Sequence, residues 1–280
     1  MKTFAAILGL SLLATLPAAA EEPVTLKYHF TKGKVLRYDG KHAMTVESTV
    51  SGTTRKLESQ TNSLREWRVI SVDEKGNARL ALTLVRAQVE ATSPDGQRIA
   101  FDSEKDGSKG PLSAVVGKPL VEVVLSPSGQ VIELGQATTP AAGQFTAYLR
   151  TQLIPLPATP VAAGATWQQD LVLPVPGRDD KIRIRQSFRL ERVTNSVATI
   201  NLESALAEEI KDRAIVERIA QFLASGRIEL DMTRGVIRNL ELTHDQKVTD
   251  FAGADSVVRV VGSYRETLKD DVAGTDSKRQ

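Results

Sequence analysis

The chain has 280 residues, with 36 basic and 34 acidic side chains, a formal net charge of +2 and no cysteine. The missing cysteines exclude disulfides, thiolate metal sites, a Cys nucleophile and a lipidated N-terminal Cys. The near balance of alternating charges argues against a polyanion-binding block, so nucleic acid is not an expected partner.

The N-terminus reads as a secretory signal peptide over residues 1–20. Lys2 is the basic start, Phe4 to Leu16 the apolar stretch, and Ala18, Ala19 and Ala20 the small residues before cleavage at Glu21. The expected product is periplasmic or secreted and has no transmembrane span.

The mature chain then reads as β structure. Leu26, Tyr28 and Phe30 share one face of a predicted strand. Leu36, Tyr38, His42, Met44, Val46 and Val50 share a face of the next, before a turn at Ser51-Gly52. Such alternation marks a strand with one wet face. Trp67 and Val69 follow on one face, and residues 78–91 set Leu80, Leu82 and Leu84 in register. Residues 116–134 form a predicted hairpin turned at Ser126 to Gly129. Together these make an N-terminal β half, residues 21–138.

Residues 139–166 change character. Thr139 is a predicted N-cap and Pro140 the first helical residue. Phe145, Tyr148, Leu149 and Leu153 form one apolar stripe, Pro155 ends the helix, and Pro157 and Pro160 hold the following linker extended.

The second β half, residues 167–268, repeats the plan. Ile182, Ile184, Phe188 and Leu190 alternate with Lys181, Arg183, Arg185 and Arg189, and Ala198, Ile200 and Leu202 share the next face. A second helix is predicted over residues 211–224, striped by Ile215, Ile219, Phe222 and Leu223 and stopped by Gly226. A hairpin turned at Thr233 to Gly235 leads to a last strand bearing Val258, Val260, Tyr264 and Leu268. Residues 269–280 read as a disordered tail. Trp67-Arg68-Val69 against Phe188-Arg189-Leu190, and Ala78, Leu80 and Leu82 against Ala198, Ile200 and Leu202, align as a duplication or as chance alternation.

The fold expected is mainly β: antiparallel curved sheet, half-barrel or sandwich-like, with two covering helices and two similar halves. Strand length favours curvature over a sandwich.

Three motifs carry a family resemblance. They are Y-x-F-x-x-G-x-x-L-x-Y at Tyr28 to Tyr38, P-x-x-P-V-x-x-G-x-x-W at Pro157 to Trp167, and G-x-x-x-x-D-x-x-x-G-x-I-x-x-L at Gly226 to Leu240. In this order they resemble a family of uncharacterised secreted bacterial β-rich proteins, a domain of unknown function. The outline is also similar to periplasmic lipoprotein carriers, curved sheets closed by helices around an apolar hollow. The resemblance implies export and fold, and carries over no ligand residue.

No HExxH, GxSxG or phosphate-loop motif is present, so no enzyme, cofactor or catalytic residue is expected. His42 and His244 lie on apolar faces and read as core-edge histidines rather than metal ligands. Asp102-x-Glu104-x-Asp106-Gly107 has the start of a calcium loop, but Ser113 stands where the bidentate Glu belongs, so a solvated loop is expected. The Arg183, Arg185 and Arg189 row reads as a wet strand face paired with acids opposite. An apolar or lipid ligand is the expected partner, with Tyr38, Met44, Trp67, Phe188, Phe222, Leu240 and Tyr264 as the candidate lining. The alternative is a structural or assembly protein of the envelope whose core is filled by its own side chains.

Overall fold

A computed structural model describes residues 22–107, 109–110, 112–136 and 149–272, with side chains to residue 269. The signal peptide, Glu21, the Thr139-Pro140 helix start, Phe145, Tyr148 and the tail from residue 273 lie outside the described residues.

The chain forms β1 (Val35–Val50), β2 (Thr53–Val72), β3 (Ala78–Thr92), β4 (Arg98–Asp102), α1 (Ser103–Asp106), β5 (Pro119–Leu125) and β6 (Val131–Leu134). After residues 149–152, which are helical, come β7 (Thr166–Pro174), β8 (Lys181–Thr194), β9 (Val197–Leu206), α2 (Arg213–Ile219) and a 3₁₀ turn (Ala220–Phe222). β10 (Ser225–Asp231), β11 (Val236–Thr249) and β12 (Val257–Val272) complete it. The twelve strands make one sheet, ordered β6-β5-β3-β2-β1-β12-β11-β10-β9-β8-β7, with β4 beside β3. Every ladder between named strands is antiparallel. The two predicted halves are therefore not separate bodies: the β1–β12 ladder joins them into a single open sheet, which curves.

Alternation explains most of the ladder. Leu80, Leu82 and Leu84 on β3, Ile182, Ile184, Phe188 and Leu190 on β8, and Ala198, Ile200 and Leu202 on β9 are all buried. The opposite face is wet and charged. Arg185 forks onto Asp170 at 2.8 and 3.0 Å, Arg259 onto Asp245 at 3.2 and 3.1 Å, and Arg265 meets Glu241 at 2.7 Å. The Arg185 fork holds the Asp170 carboxyl below the usual carboxylate range. At Ser51-Gly52 both residues have positive φ, 49° and 76°, as a two-residue hairpin turn requires.

Four expectations change. The segment around Leu26, Tyr28 and Phe30 alternates in burial as predicted, but it is no strand of the sheet. A single bridge at Val24 to Val161 ties it, and it crosses the concave side. There the Tyr28 N–H donates to Pro127 O and the His29 N–H to Gly235 O, one in each hairpin turn. The proline stretch, expected as a linker, is docked at its start: Ile154, Pro155 and Leu156 are buried, while residues 158–160 are exposed. Leu156 N–H donates to Ser128 O and Trp167 Nε1–H to Pro155 O, both at 2.7 Å. The second helix is shorter than residues 211–224, because Asp212 caps it by accepting from Ala214 and Ile215 N–H and the last turn tightens to 3₁₀. Gly226 does not stop it; it lies within β10, where a Cβ would collide with the Glu241 backbone. Finally, β12 runs past Leu268 to Val272, pairing with Val35. A ladder needs backbone, not apolar side chains, and Lys269 meets Asp39 at 3.0 Å.

Candidate functional site: two hollows and a polar bar

Inward residues of β1, β2, β3, β11 and β12 surround two hollows on the concave side. The smaller, about 100 Å³, is walled by Tyr38, Trp67, Leu80, Leu153 and Leu240 among others. The larger, about 290 Å³, is walled by Met44, Leu82, Leu84, Leu112, Leu120 and Tyr264 among others. Arg65 and Leu149 line both.

Between them lies a polar bar built across β1. On β2, Arg65 points inward with Ser63 and Trp67. On β12, Tyr264 and Glu266 point inward. The register places Gly40 of β1 opposite both Ser63 and Glu266. A Cβ there would stand 2.7 Å from Ser63 Oγ and 3.6 Å from Tyr264 OH. The missing side chain is what lets Arg65 reach over β1. Its Nη2 stands 2.5 Å from Glu266 Oε1 and donates to the Tyr264 hydroxyl, while Nη1 donates to Gln152 Oε1 at 2.9 Å. The contact with Glu266 is an ion pair rather than an aligned hydrogen bond. The guanidinium carbon is also 5.4 Å from the Tyr264 ring centroid, within cation–π range. The side chains of Arg65 and Glu266 are 13% and 11% exposed, so their charges face each other with little solvent between.

Two histidines flank the larger hollow. His42 lines it, and His244 is buried on β11 with Nδ1 3.1 Å from Leu223 O. Gly262 of β12 lies between them: it pairs with His244 and Met44, and a Cβ there would approach His244 Cδ2 at 3.6 Å. Burial lowers both pKa values, and the charge of His244 lowers that of His42 further.

Five of the seven candidate lining residues fall on these hollows: Tyr38, Trp67 and Leu240 on the smaller, Met44 and Tyr264 on the larger. Phe188 lies elsewhere, 1% exposed and stacked on Trp167 at 5.7 Å in the core. Phe222 packs with Leu173, Ile184 and Ile219 beneath β7 and β8, while its neighbour Gln221 lines the larger hollow. Sequence reasoning missed Arg65, Glu266 and Gln152. The available signal was a charged residue at an inward position of an alternating strand, at Arg65 two before Trp67 and at Glu266 two after Tyr264.

Among the described residues no cluster of His, Asp and Glu could hold a metal. The Asp102 segment is a capped helical turn: Asp102 Oδ1 accepts from Glu104 N–H at 3.0 Å, and Asp106 Oδ2 from Asp102 N–H at 2.7 Å. No described helix is long and apolar enough to cross a membrane.

No protein-family model matches the chain, and no curated protein does. Among solved structures it is similar to lipovitellin, in a structure concerned with lipid–protein interactions. That likeness has 12% identity and a TM-score of 0.51, and covers 90% of this chain and 26% of the lipovitellin chain. The chain thus spans about a quarter of that neighbour, and at this identity the likeness shows the fold alone. Two further likenesses are to DynF from the dynemicin biosynthesis pathway of Micromonospora chersina (7% identity, TM-score 0.23, 93% of each chain) and to a DUF1329 family protein from Desulfovibrio piger (9% identity, TM-score 0.18, 86% of this chain and 87% of the other). At those TM-scores neither defines a common topology.

Proposed function

We propose that this is an exported, non-catalytic binding protein of the cell envelope that holds an apolar or amphiphilic molecule on the concave side of its sheet. One observation carries the reading: a hollow of about 290 Å³ walled mainly by Met44, Leu82, Leu84, Leu112 and Leu120. Small-molecule sites are typically clefts lined mainly by apolar side chains with a few polar groups, and this partly open hollow has that character. Lipovitellin shares the curved-sheet fold, which makes lipid the first class to test. In this reading the helical residues 149–152 and α2 with its 3₁₀ turn are the two covers of the sheet. Burial of Ile219, Phe222 and Leu223 favours a docked cover over a swinging lid for the second.

The test is native mass spectrometry of the protein purified from its own envelope, alongside titration with a neutral apolar dye. A co-purified lipid-sized mass, and dye binding lost in Leu84→Trp, support the reading. An unliganded mass with no dye binding overturns it in favour of a structural envelope protein with a filled core.

A further inference from the structure

The polar bar leaves two buried donors without an acceptor, and Glu266 Oε1, close against Arg65, is held by charge rather than by an aligned hydrogen bond. Arg65 brings five N–H groups and no acceptor. Its two terminal nitrogens are engaged by Gln152, Tyr264 and Glu266, but its buried Nε–H meets no acceptor. The buried Nε2 amide of Gln152 meets none either. Turning that amide round gives no relief, because it would aim Nε2 at Arg65 Nη1, donor against donor. A buried donor without an acceptor bears its full desolvation cost. Both residues line the smaller hollow, and Arg65 also lines the larger one.

Charge narrows the acceptor. Arg65 is already met by Glu266 at 2.5 Å. A carboxylate or phosphate would add a second negative charge beside Glu266, and like charges in one buried site repel. A carbonyl oxygen brings two lone pairs and no charge. Volume narrows the tail: ligand pockets usually span roughly 300–1,000 Å³. The larger hollow, at about 290 Å³, suits one short chain rather than two.

We propose, resting on the binding reading above, that the ligand is an uncharged single-chain acyl ester or amide. Its carbonyl oxygen accepts from Arg65 Nε–H and Gln152 Nε2–H, and its chain lies along Met44, Leu82, Leu84 and Leu120.

Calorimetric titration of the full chain with a monoacylglycerol and with the fatty-acid anion of the same chain length tests this. The ester is expected to bind about tenfold more tightly, the scale of one good buried hydrogen bond. Gln152→Met, which removes one of the two donors, should weaken ester binding several-fold. Should Gln152→Met fail to fold, isotope-edited infrared spectroscopy on the unmutated protein decides. The carbonyl stretch of the bound ester should fall below its value in alkane solvent. Equal binding of the two probes, tighter binding of the anion, ester binding undiminished in Gln152→Met, or an unshifted stretch overturns the ester assignment and leaves the carrier reading standing. Binding of neither probe nor dye overturns both.

Discussion

The two flanks of the sheet bury apolar faces of similar composition and fill them differently. Beneath β8 to β11, Phe188, Leu190, Ile200, Ile228 and Leu230 are at most 1% exposed, and Leu26, Ile154 and Leu156 press into them. Two extended segments, held by backbone hydrogen bonds to the hairpin turns, lie close enough to fill that flank. Among the described residues, the cover beneath β1 to β3 is the helical turn at Leu149 and the loop at Leu112, with a polar bar across the gap. An extended segment can follow a curved sheet residue by residue. A helix meets it along one stripe and leaves space at its sides. The comparison teaches that the shape of the cover, more than the sheet sequence, decides where a hollow forms.

The largest predicted effect lies in the filled flank. Phe188→Ala should cost about 3–5 kcal/mol in urea unfolding, as expected for a fully packed aromatic. Leu84→Ala, against the hollow, should cost nearer 2 kcal/mol, at the low end for a buried leucine. Equal losses would erase the distinction between the flanks.

The polar bar gives the next test. Glu266→Leu leaves Arg65 buried without its counter-charge and should cost about 3–5 kcal/mol, whereas adding Arg65→Met should recover most of the loss. Costs that simply add in the double variant would mean that the two side chains are not energetically coupled.

A smaller effect follows from the histidines. In the native protein His42 and His244 titrate below the ordinary histidine value. In the unfolded chain they take a proton near pH ~6.5. Between the two values the unfolded chain holds more protons, so stability is full above about pH 6.5 and declines as pH falls below it. The urea midpoint should drop between pH ~7.5 and pH ~5.5, and His244→Gln should flatten that slope. A midpoint that rises toward acid would reverse the assignment. The smallest effect is zero. Millimolar calcium should leave Tm unchanged, since the Asp102 and Asp106 carboxylates already accept local backbone N–H groups. A rise in Tm abolished by Asp102→Ala would restore a calcium site.

Alternation made the strands legible, down to the turns at Ser51-Gly52 and Ser126 to Gly129. It could not tell the Leu26 segment from a ladder strand, because both alternate in burial and only the partner differs. Nor could it reveal the polar bar. Arg65 and Glu266 are far apart in sequence, and their meeting depends on register through Gly40, a glycine that reads locally as any other. The apolar lining was readable at Tyr38, Met44, Trp67, Leu240 and Tyr264 because large side chains on inward faces mark the concave side. At Phe188 and Phe222 the same signal marks solid core, and sequence offers nothing to separate the two.

The central ladder, β1 with β12, pairs the first and last described strands, Val35 reaching Val272. Its contacts span nearly the whole described chain, so loop closure makes it a slow step and a late one. Until β12 leaves the ribosome, β1 and β11 each present a bare edge to other chains. A protein so arranged gains from a holding chaperone during synthesis, and a nascent chain stalled before residue 257 would expose the two edges that the finished molecule keeps at its centre.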